Sequence, residues 1–355
     1  MKILQVIPYF CFGGAETMCE NLTYALKNIG HTVCVVSLYG ERTPISERVE
    51  RAGVRIEYLD KKLGLDLSMV PKLVRIMRRE RPDVVHTHLD VIKYAAAAAK
   101  LAGVKRCVHT VHNVADKEAE GRAQKIINNF YFKHGWSVPV ALSPEVQRTI
   151  ASFYGMEEGR IPVIYNGVDL SRCIPKESYG AGAITLVHVG RFNAQKNHGG
   201  LLQAFRKILA RFPDSRLNLL GDGELRQEVE TLAAELGIAE NVQFLGSQSN
   251  VYPYLHKADI FLLPSHYEGM PMTIIEAMGT GLPIAASAVG GVPDMLTHRE
   301  SGLLTSPDPE EFSRAVLELM EDEALRETLG RNAKRESIRF SAGHMAEEYV
   351  KVYKM

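Results

Sequence analysis

The chain has no net charge. Its 355 residues carry 42 Lys and Arg against 42 Asp and Glu. Without an overall positive field, nothing gathers nucleic acid by charge alone, and no nucleic-acid partner is expected. Cysteine is scarce: Cys11, Cys19, Cys34, Cys107 and Cys173 make an odd count of 5, and no two stand in C-x-x-C spacing. That excludes a disulfide framework and a zinc knuckle, and it predicts free, reduced thiols in a cytoplasmic protein. No apolar run reaches the length of about 18 residues needed to span a membrane. Lys2 and the apolar residues up to position 12 imitate a secretory leader. Pro8 interrupts that run and no small-residue cleavage site follows, so a first β-strand is expected instead. The strand is not followed by G-x-G-x-x-G, so the dinucleotide fingerprint of a nicotinamide dehydrogenase is missing. What is present is ordinary for a globular chain, 46% hydrophobic and 24% charged, with length enough for two domains and large cores.

The charge is unevenly spread. Residues 1–170 hold 23 Lys and Arg against 18 Asp and Glu, and residues 171–355 hold 19 against 24. The first half is therefore the better candidate to face an anionic partner. Much of its excess lies in residues 61–81. There Lys72, Arg75, Arg78, Arg79 and Arg81 alternate with Val70, Leu73, Val74, Ile76 and Met77, as on an amphipathic helix. Such a stretch reads either as a solvated helix face or as a peripheral contact with anionic lipid headgroups.

Strand and helix patterns alternate along the whole chain, the mark of parallel α/β architecture. Apolar strand candidates are residues 3–8, 32–37, 54–58, 84–87, 107–110 and 139–142, with helical patterns between them at 16–28 and 94–101. The alanine run at 95–99 reads as a close-packed helix face. A turn at Asn166-Gly167-Val168-Asp169 and a strandless stretch through Pro175 and residues 180–182 mark a boundary. The alternation then restarts, with strands at 184–190, 217–220, 242–245, 260–263 and 283–286. The expected fold is two Rossmann-like parallel-sheet domains facing a central cleft. Their predicted extents are 1–170 and 171–340, with 341–355 a terminal helix returning to the first domain. Ligands in such sheets bind beyond the carboxyl ends of the strands.

The chemistry-bearing residues fall at those ends. Glu268 and Glu276 stand in E-G-M-P-M-T-I-I-E after the apolar run 260–263, with a helix predicted to begin near Pro271. A helix start offers unpaired N–H groups and a positive dipole end to an anion, and proline fits its first position. Gly269, Met270, Pro271, Met272 and Thr273 line that start. Two carboxylates flanking a phosphate site can accept hydrogen bonds from hydroxyls on either side, which is the logic of a sugar nucleotide. Arg191 and Lys196 lie just past the strand at 184–190, and two cations on one loop can clamp a diphosphate or remain solvated. Gly13-Gly14 permits close backbone approach to a phosphate, or is simply a tight turn. Gly221-Asp222-Gly223 reads as a structural turn, or else as part of the donor-site lining. His86, His88, His109 and His112 gather at two strand ends without carboxylate or cysteine in zinc-like spacing. His86 and His109 read as satisfied structural histidines. His112, followed by Asn113 in a loop, is the better candidate to touch substrate.

In this order the motifs resemble glycosyltransferase family 4, the retaining transferases of GT-B fold. The resemblance runs through G-G-A-E at 13–16, D-V-V-H-T-H at 83–88, T-V-H-N at 110–113 and N-G-V-D at 166–169. It continues through V-G-R-F at 189–192, Lys196, L-G-D-G at 220–223 and F-L-G at 244–246. It closes with L-P-S-x-x-E-G-M-P from 263, E-A-M from 276, G-L-P-I at 281–284 and G-G-V-P at 290–293. It implies that Arg191 and Lys196 bind the donor diphosphate, Glu276 the ribose hydroxyls and Glu268 the hydroxyls of the transferred sugar. Gly13 and Gly14 would approach the phosphates from the first domain, and the nucleobase would lie near Gly246. His112 would sit beside the reacting carbon, with His88 and Asn113 on the acceptor side. His112, Glu268, Arg191 and Lys196 would act at the reacting centre.

The chain contains no Asp-x-Asp, the pair with which many transferases hold a divalent metal. Arg191, Lys196 and the helix start can supply the positive field that stabilises a leaving diphosphate, so no metal or other cofactor is expected. The resemblance implies a nucleotide sugar as donor, with UDP the expected nucleotide. It also implies a glycan or polyprenyl-linked acceptor at the inner face of the membrane, in cell-surface polysaccharide synthesis. Two alternatives share these residues: a sugar-nucleotide epimerase of the same fold, and a donor-binding subunit without turnover.

Overall fold

The computed structural model describes residues 1–10, 13–119, 121–180 and 182–355, so Cys11 lies outside the described residues. Cys19, Cys34, Cys107 and Cys173 are free thiols. The chain divides into two compact units, Met1–Gly167 with Ala342–Met355, and Val168–Ser341.

The first unit is built on β1 (Lys2–Ile7), β2 (Thr32–Ser37), β3 (Arg55–Tyr58), β4 (Val84–His88), β5 (Arg106–Val111) and β6 (Val138–Ala141). They form one parallel sheet in the order β3-β2-β1-β4-β5-β6. Its interior strands are covered on both faces by crossover helices, so β4 is buried at every position and shows no alternation. The alanine run does pack closely: Ala95, Ala96, Ala98 and Ala99 of the helix Ile92–Ala102 are buried, and this helix lies against the helix Met69–Glu80. The helix Ala342–Lys354 belongs to this unit. Tyr353 Oη is 2.7 Å from His86 Nδ1, and Tyr349 Oη is 2.7 Å from Thr110 Oγ1.

The second unit repeats the plan. Its strands are β7 (Thr185–Val189), β8 (Arg216–Leu220), β9 (Val242–Gly246), β10 (Ile260–Leu263), β11 (Ile284–Ser287) and β12 (Leu303–Thr305). They lie parallel in the order β12-β11-β10-β7-β8-β9. Counted within each unit, both sheets read 3-2-1-4-5-6, the Rossmann order. The order reverses between the first and fourth strands, at β1/β4 in one unit and β7/β10 in the other. Sheets of this order take their ligands beyond the carboxyl ends of those pairs.

The amphipathic helix read at Val70–Arg81 is present as Met69–Glu80, burying Met69, Leu73, Ile76 and Met77, with residues 61–68 a loop before it. Two expectations need correction. Lys61 points inward, donating to Tyr39 Oη at 3.1 Å and to the carbonyls of Lys62 and Gly64 at 2.9 and 2.7 Å, because its ammonium closes that loop. Pro271 is the cap residue in extended geometry (ψ 117°), and the helix begins one residue later at Met272.

Candidate functional site

In the second unit the loops after β7 and β10 meet at the switch point. After β7 the chain runs through Arg191 and a short 3₁₀ turn, Ala194–Lys196, capped by the Asn193 side chain accepting from Lys196 N–H at 3.3 Å. After β10 it runs through residues 264–271 into the helix Met272–Thr280. Lys196 Nζ reaches across to Glu268 Oε1 at 2.6 Å, with both side chains largely buried. The neighbouring Gln195 donates through Nε2 to Glu268 Oε2 at 3.3 Å and to the Tyr267 carbonyl at 3.0 Å. Glu268 is thus gripped at both oxygens by one loop. Arg191 turns outward and pairs with Glu224, Nη2 to Oε2 at 3.2 Å.

The helix Met272–Thr280 carries no side-chain cap at its start, leaving backbone N–H groups available at its positive end. Met270 and Met272 are buried beside it. The hydroxyls of Ser265 and Thr273 are buried without a partner among the described residues. Glu276 is buried one turn into the helix. Its charge adds to burial in raising the Cys173 thiol to about 12, and it raises the Tyr252 phenol too. The backbone at Glu268 is held from behind by the turn after β11. A Cβ on Gly290 (φ +54°) would lie 1.7 Å from the Glu268 carbonyl oxygen, so only glycine fits. Gly291 N–H donates to the Gly269 carbonyl at 2.9 Å. At the neighbouring strand ends, Gly246 closes β9 and its carbonyl accepts from Gly221 N–H at 2.9 Å.

In the first unit Gly13 is the extended cap (φ −156°) of the helix Gly14–Asn28 beyond β1. Glycine leaves room there for the Glu16 carboxylate, whose Oε2 would lie 2.5 Å from a Cβ. The histidines form two groups. His86 bonds Tyr353 and Thr110, and His109 Nδ1 lies 2.9 Å from Thr87 Oγ1, so both are satisfied within the fold. His88 Nδ1 lies 3.1 Å from His112 Nε2, and His88 Nε2 lies 2.9 Å from Gln5 Oε1. Burial lowers His109 and His112 to about 3 and takes His86 and His88 well below the usual imidazole range. All four are therefore neutral near pH 7.

Beyond β5, Glu118 Oε2 accepts from the N–H groups of His112 and Asn113 at 2.9 and 3.0 Å. Burial pushes Glu118 up to about 8, against the downward pull of those two N–H groups. Gln5, Glu118, Gln195 and Glu224 escaped the sequence reading. Gln195 had a signal, its place between Arg191 and Lys196; the others had none. Among the described residues no group of three or more His, Cys, Asp or Glu is placed to hold a metal ion.

The chain is similar to known proteins in sequence and in fold. Residues 12–172 match the family Glycosyltransferase Family 4, and residues 175–336 match Glycosyl transferases group 1. The chain is 28% identical to the UDP-Gal:α-D-GlcNAc-diphosphoundecaprenol α-1,3-galactosyltransferase of Escherichia coli, over 73% of this chain and 72% of that one. It is 28% identical to the N-acetyl-α-D-glucosaminyl L-malate synthase of Bacillus anthracis, over 81% and 78%. Among solved structures, HepE from Anabaena with UDP and glucose superposes with a TM-score of 0.87 at 20% identity, over 100% of this chain and 99% of that one. Two parallel Rossmann-like sheets of this order define the GT-B class of fold. The chain belongs to glycosyltransferase family 4, and it is a glycosyltransferase.

Proposed function

We propose that the protein is a retaining transferase that moves a sugar from a UDP-sugar to a glycan or polyprenyl-linked acceptor without a metal ion. The observation that carries this reading is the Lys196–Glu268 pair beside the uncapped helix start at the β7/β10 switch point. Lys196 would leave Glu268 for the diphosphate, with Arg191 leaving Glu224 to join it. The freed Glu268 carboxylate would then accept hydrogen bonds from the sugar hydroxyls, and Glu276 from the ribose. The helix start from Gly269 to Thr273 would face the phosphates. Gly13 and Gly14 would approach them from the first domain, and the base would lie near Gly246. Two cations and a helix end supply the field that a leaving diphosphate requires.

In the proposed step the bond from the anomeric carbon to the phosphate oxygen breaks. A bond to the acceptor oxygen forms on the same face, and the acceptor's proton passes to the leaving phosphate. No side chain need act as nucleophile or base. The galactosyltransferase and HepE, whose names carry UDP-Gal and UDP, support UDP as the nucleotide. The first unit would bind the acceptor through His112 and Asn113; His88, expected beside them, is buried with both ring nitrogens bonded and stands behind His112.

The diphosphoundecaprenol in the galactosyltransferase's name supports a lipid-linked acceptor. The proposed place of action is the cytoplasmic face of a membrane, in cell-surface polysaccharide synthesis. No helix among the described residues is long and apolar enough to cross a membrane. A peripheral contact is favoured by Leu63, Leu65 and Leu67, which are 92%, 70% and 69% exposed. They precede in sequence the helix Met69–Glu80, whose Val70, Val74, Arg75 and Arg78 line a groove with Leu101. Exposed leucines followed by arginines suit an anionic bilayer surface.

The test is a panel of UDP-sugars with polyprenyl-diphosphate glycans, run in excess chelator and read as UDP release and the anomeric configuration of the product. Turnover with retention supports the reading. Inversion, or activity that returns only with Mg²⁺, overturns it. Isomerised donor without acceptor would make the protein an epimerase.

A further inference from the structure

We infer that Gln5 and His88 are positioning residues that fix His112 in one tautomer, so that His112 presents a bare Nδ1 to its ligand as a hydrogen-bond acceptor. This rests on the proposed placement of His112 beside the reacting sugar.

The direction of the hydrogen-bond chain follows from its far end. Thr23 Oγ1 lies 2.7 Å from the Cys19 carbonyl, one helical turn back, and only the hydroxyl proton can occupy that contact. Oγ1 must then accept from Gln5, whose Nε2 stands 2.6 Å away. The Gln5 amide is thereby oriented with its oxygen toward His88. The Cys19 thiol donates to the same oxygen at 3.2 Å, and burial raises its pKa so that it keeps its proton.

Gln5 Oε1 can only accept, so His88 Nε2, 2.9 Å away, carries the ring proton. A buried neutral imidazole has one proton, so His88 Nδ1 is bare. It accepts from His112 Nε2 at 3.1 Å, which assigns that nitrogen the His112 proton. His112 is neutral as well, and its Nδ1 is left with a lone pair and no described residue bonded to it.

Glu118 completes the arrangement by holding the N–H groups of His112 and Asn113, so ring and backbone are anchored separately. A bare Nδ1 selects a donor: a sugar or acceptor hydroxyl fits there, whereas a phosphate oxygen would meet it lone pair to lone pair. His86 and His109 take no part, since both nitrogens of His86 are engaged by Tyr353 and Thr110, and Nδ1 of His109 by Thr87.

The test is ¹⁵N NMR of the full chain labelled at its 12 histidines, which reads the protonated nitrogen of each ring without any ligand or assay. His112 is expected with its proton on Nε2. His88→Gln preserves the polarity of the chain, its oxygen accepting from His112 and its nitrogen donating to Gln5, and should leave that signature intact. His88→Phe keeps the ring and removes the link, so His112 should show both tautomers. With the His112 acceptor no longer fixed, kcat should fall about ten-fold in His88→Phe while UDP affinity stays within about two-fold, the effect of one neutral hydrogen bond. A proton on Nδ1 of His112 in the wild type overturns the inference, whatever the variants do. So does a His112 signature unchanged in His88→Phe. The expected tautomers in a protein that turns over no donor would support the relay and count against the transferase mechanism instead.

Discussion

Lys196 and Glu268 are expected to be tightly coupled in the empty protein and uncoupled by nucleotide. Their charged atoms are 2.6 Å apart, with the side chains 15% and 5% exposed. Removing one partner of a buried pair typically costs about 3–5 kcal/mol, because the other charge is left without compensation. Lys196→Met leaves Glu268 with only the 3.3 Å bond from Gln195, so the lower end of that range, about 3 kcal/mol, is expected. Glu268→Gln keeps an acceptor for the ammonium and should cost about 1–2 kcal/mol. The double variant removes both charges and should lose no more than the larger single change, because no charge is left unpaired.

A unit of this size loses about 2–4 °C per kcal/mol, so Lys196→Met should lower the Tm by about 6–12 °C. The assay is thermal unfolding of the four proteins with and without UDP. A coupling of about 2 kcal/mol is expected without UDP. Glu268→Gln should bind UDP at least as tightly as the wild type, because Lys196 no longer has to leave a carboxylate, yet it should lose sugar transfer. Coupling below about 0.5 kcal/mol would refute the buried pair. UDP affinity falling in step with transfer would refute the division of labour.

Glu276→Ala should weaken UDP binding by about 10-fold or more if its carboxylate holds two ribose hydroxyls, as titration calorimetry can measure. Glu118, raised in the fold to about 8 from an ordinary 4.5, contributes stability that is full below the lower value and lost as pH climbs through the higher. The Tm of the wild type relative to Glu118→Gln should therefore fall between pH 5 and about 8; a difference flat in pH would refute a protonated Glu118. Gly290→Ala places a Cβ on the Glu268 carbonyl at positive φ and should cost more than about 4 kcal/mol. In Gly343→Ala the new Cβ meets nothing within 4 Å, in a helix, and the change should stabilise by about 0.5–1 kcal/mol.

Most strands were legible because each is an apolar run between turn residues, and β2 and β10 have the limits read from sequence. β12 was missed because three residues after Ser301-Gly302 carry too little pattern to register. The order 3-2-1-4-5-6 cannot be read along the chain, since it depends on which strands pair across long crossovers. Arg191, Lys196 and Glu268 were visible as charges at strand ends, but which charge each would pair with was not. That Arg191 turns to Glu224 and Lys196 to Glu268 depends on loops 33 and 72 residues apart. Lys61 looked like a surface charge because its three acceptors, one of them Tyr39, form no sequence motif. The Gln5–His88–His112 chain was hidden for the same reason: it joins β1, β4 and the loop after β5.

The central proposal is that Lys196 and Glu276 hold the nucleotide. UDP, GDP and ADP in turn, in excess chelator, should be compared for protection of the wild type and Glu276→Ala against heat unfolding. Saturating UDP at about 100 times its Kd should stabilise the wild type by about 2.7 kcal/mol, with GDP and ADP well behind and the protection largely lost in Glu276→Ala. Equal protection by all three, protection only when Mg²⁺ is restored, or full protection of Glu276→Ala would contradict it.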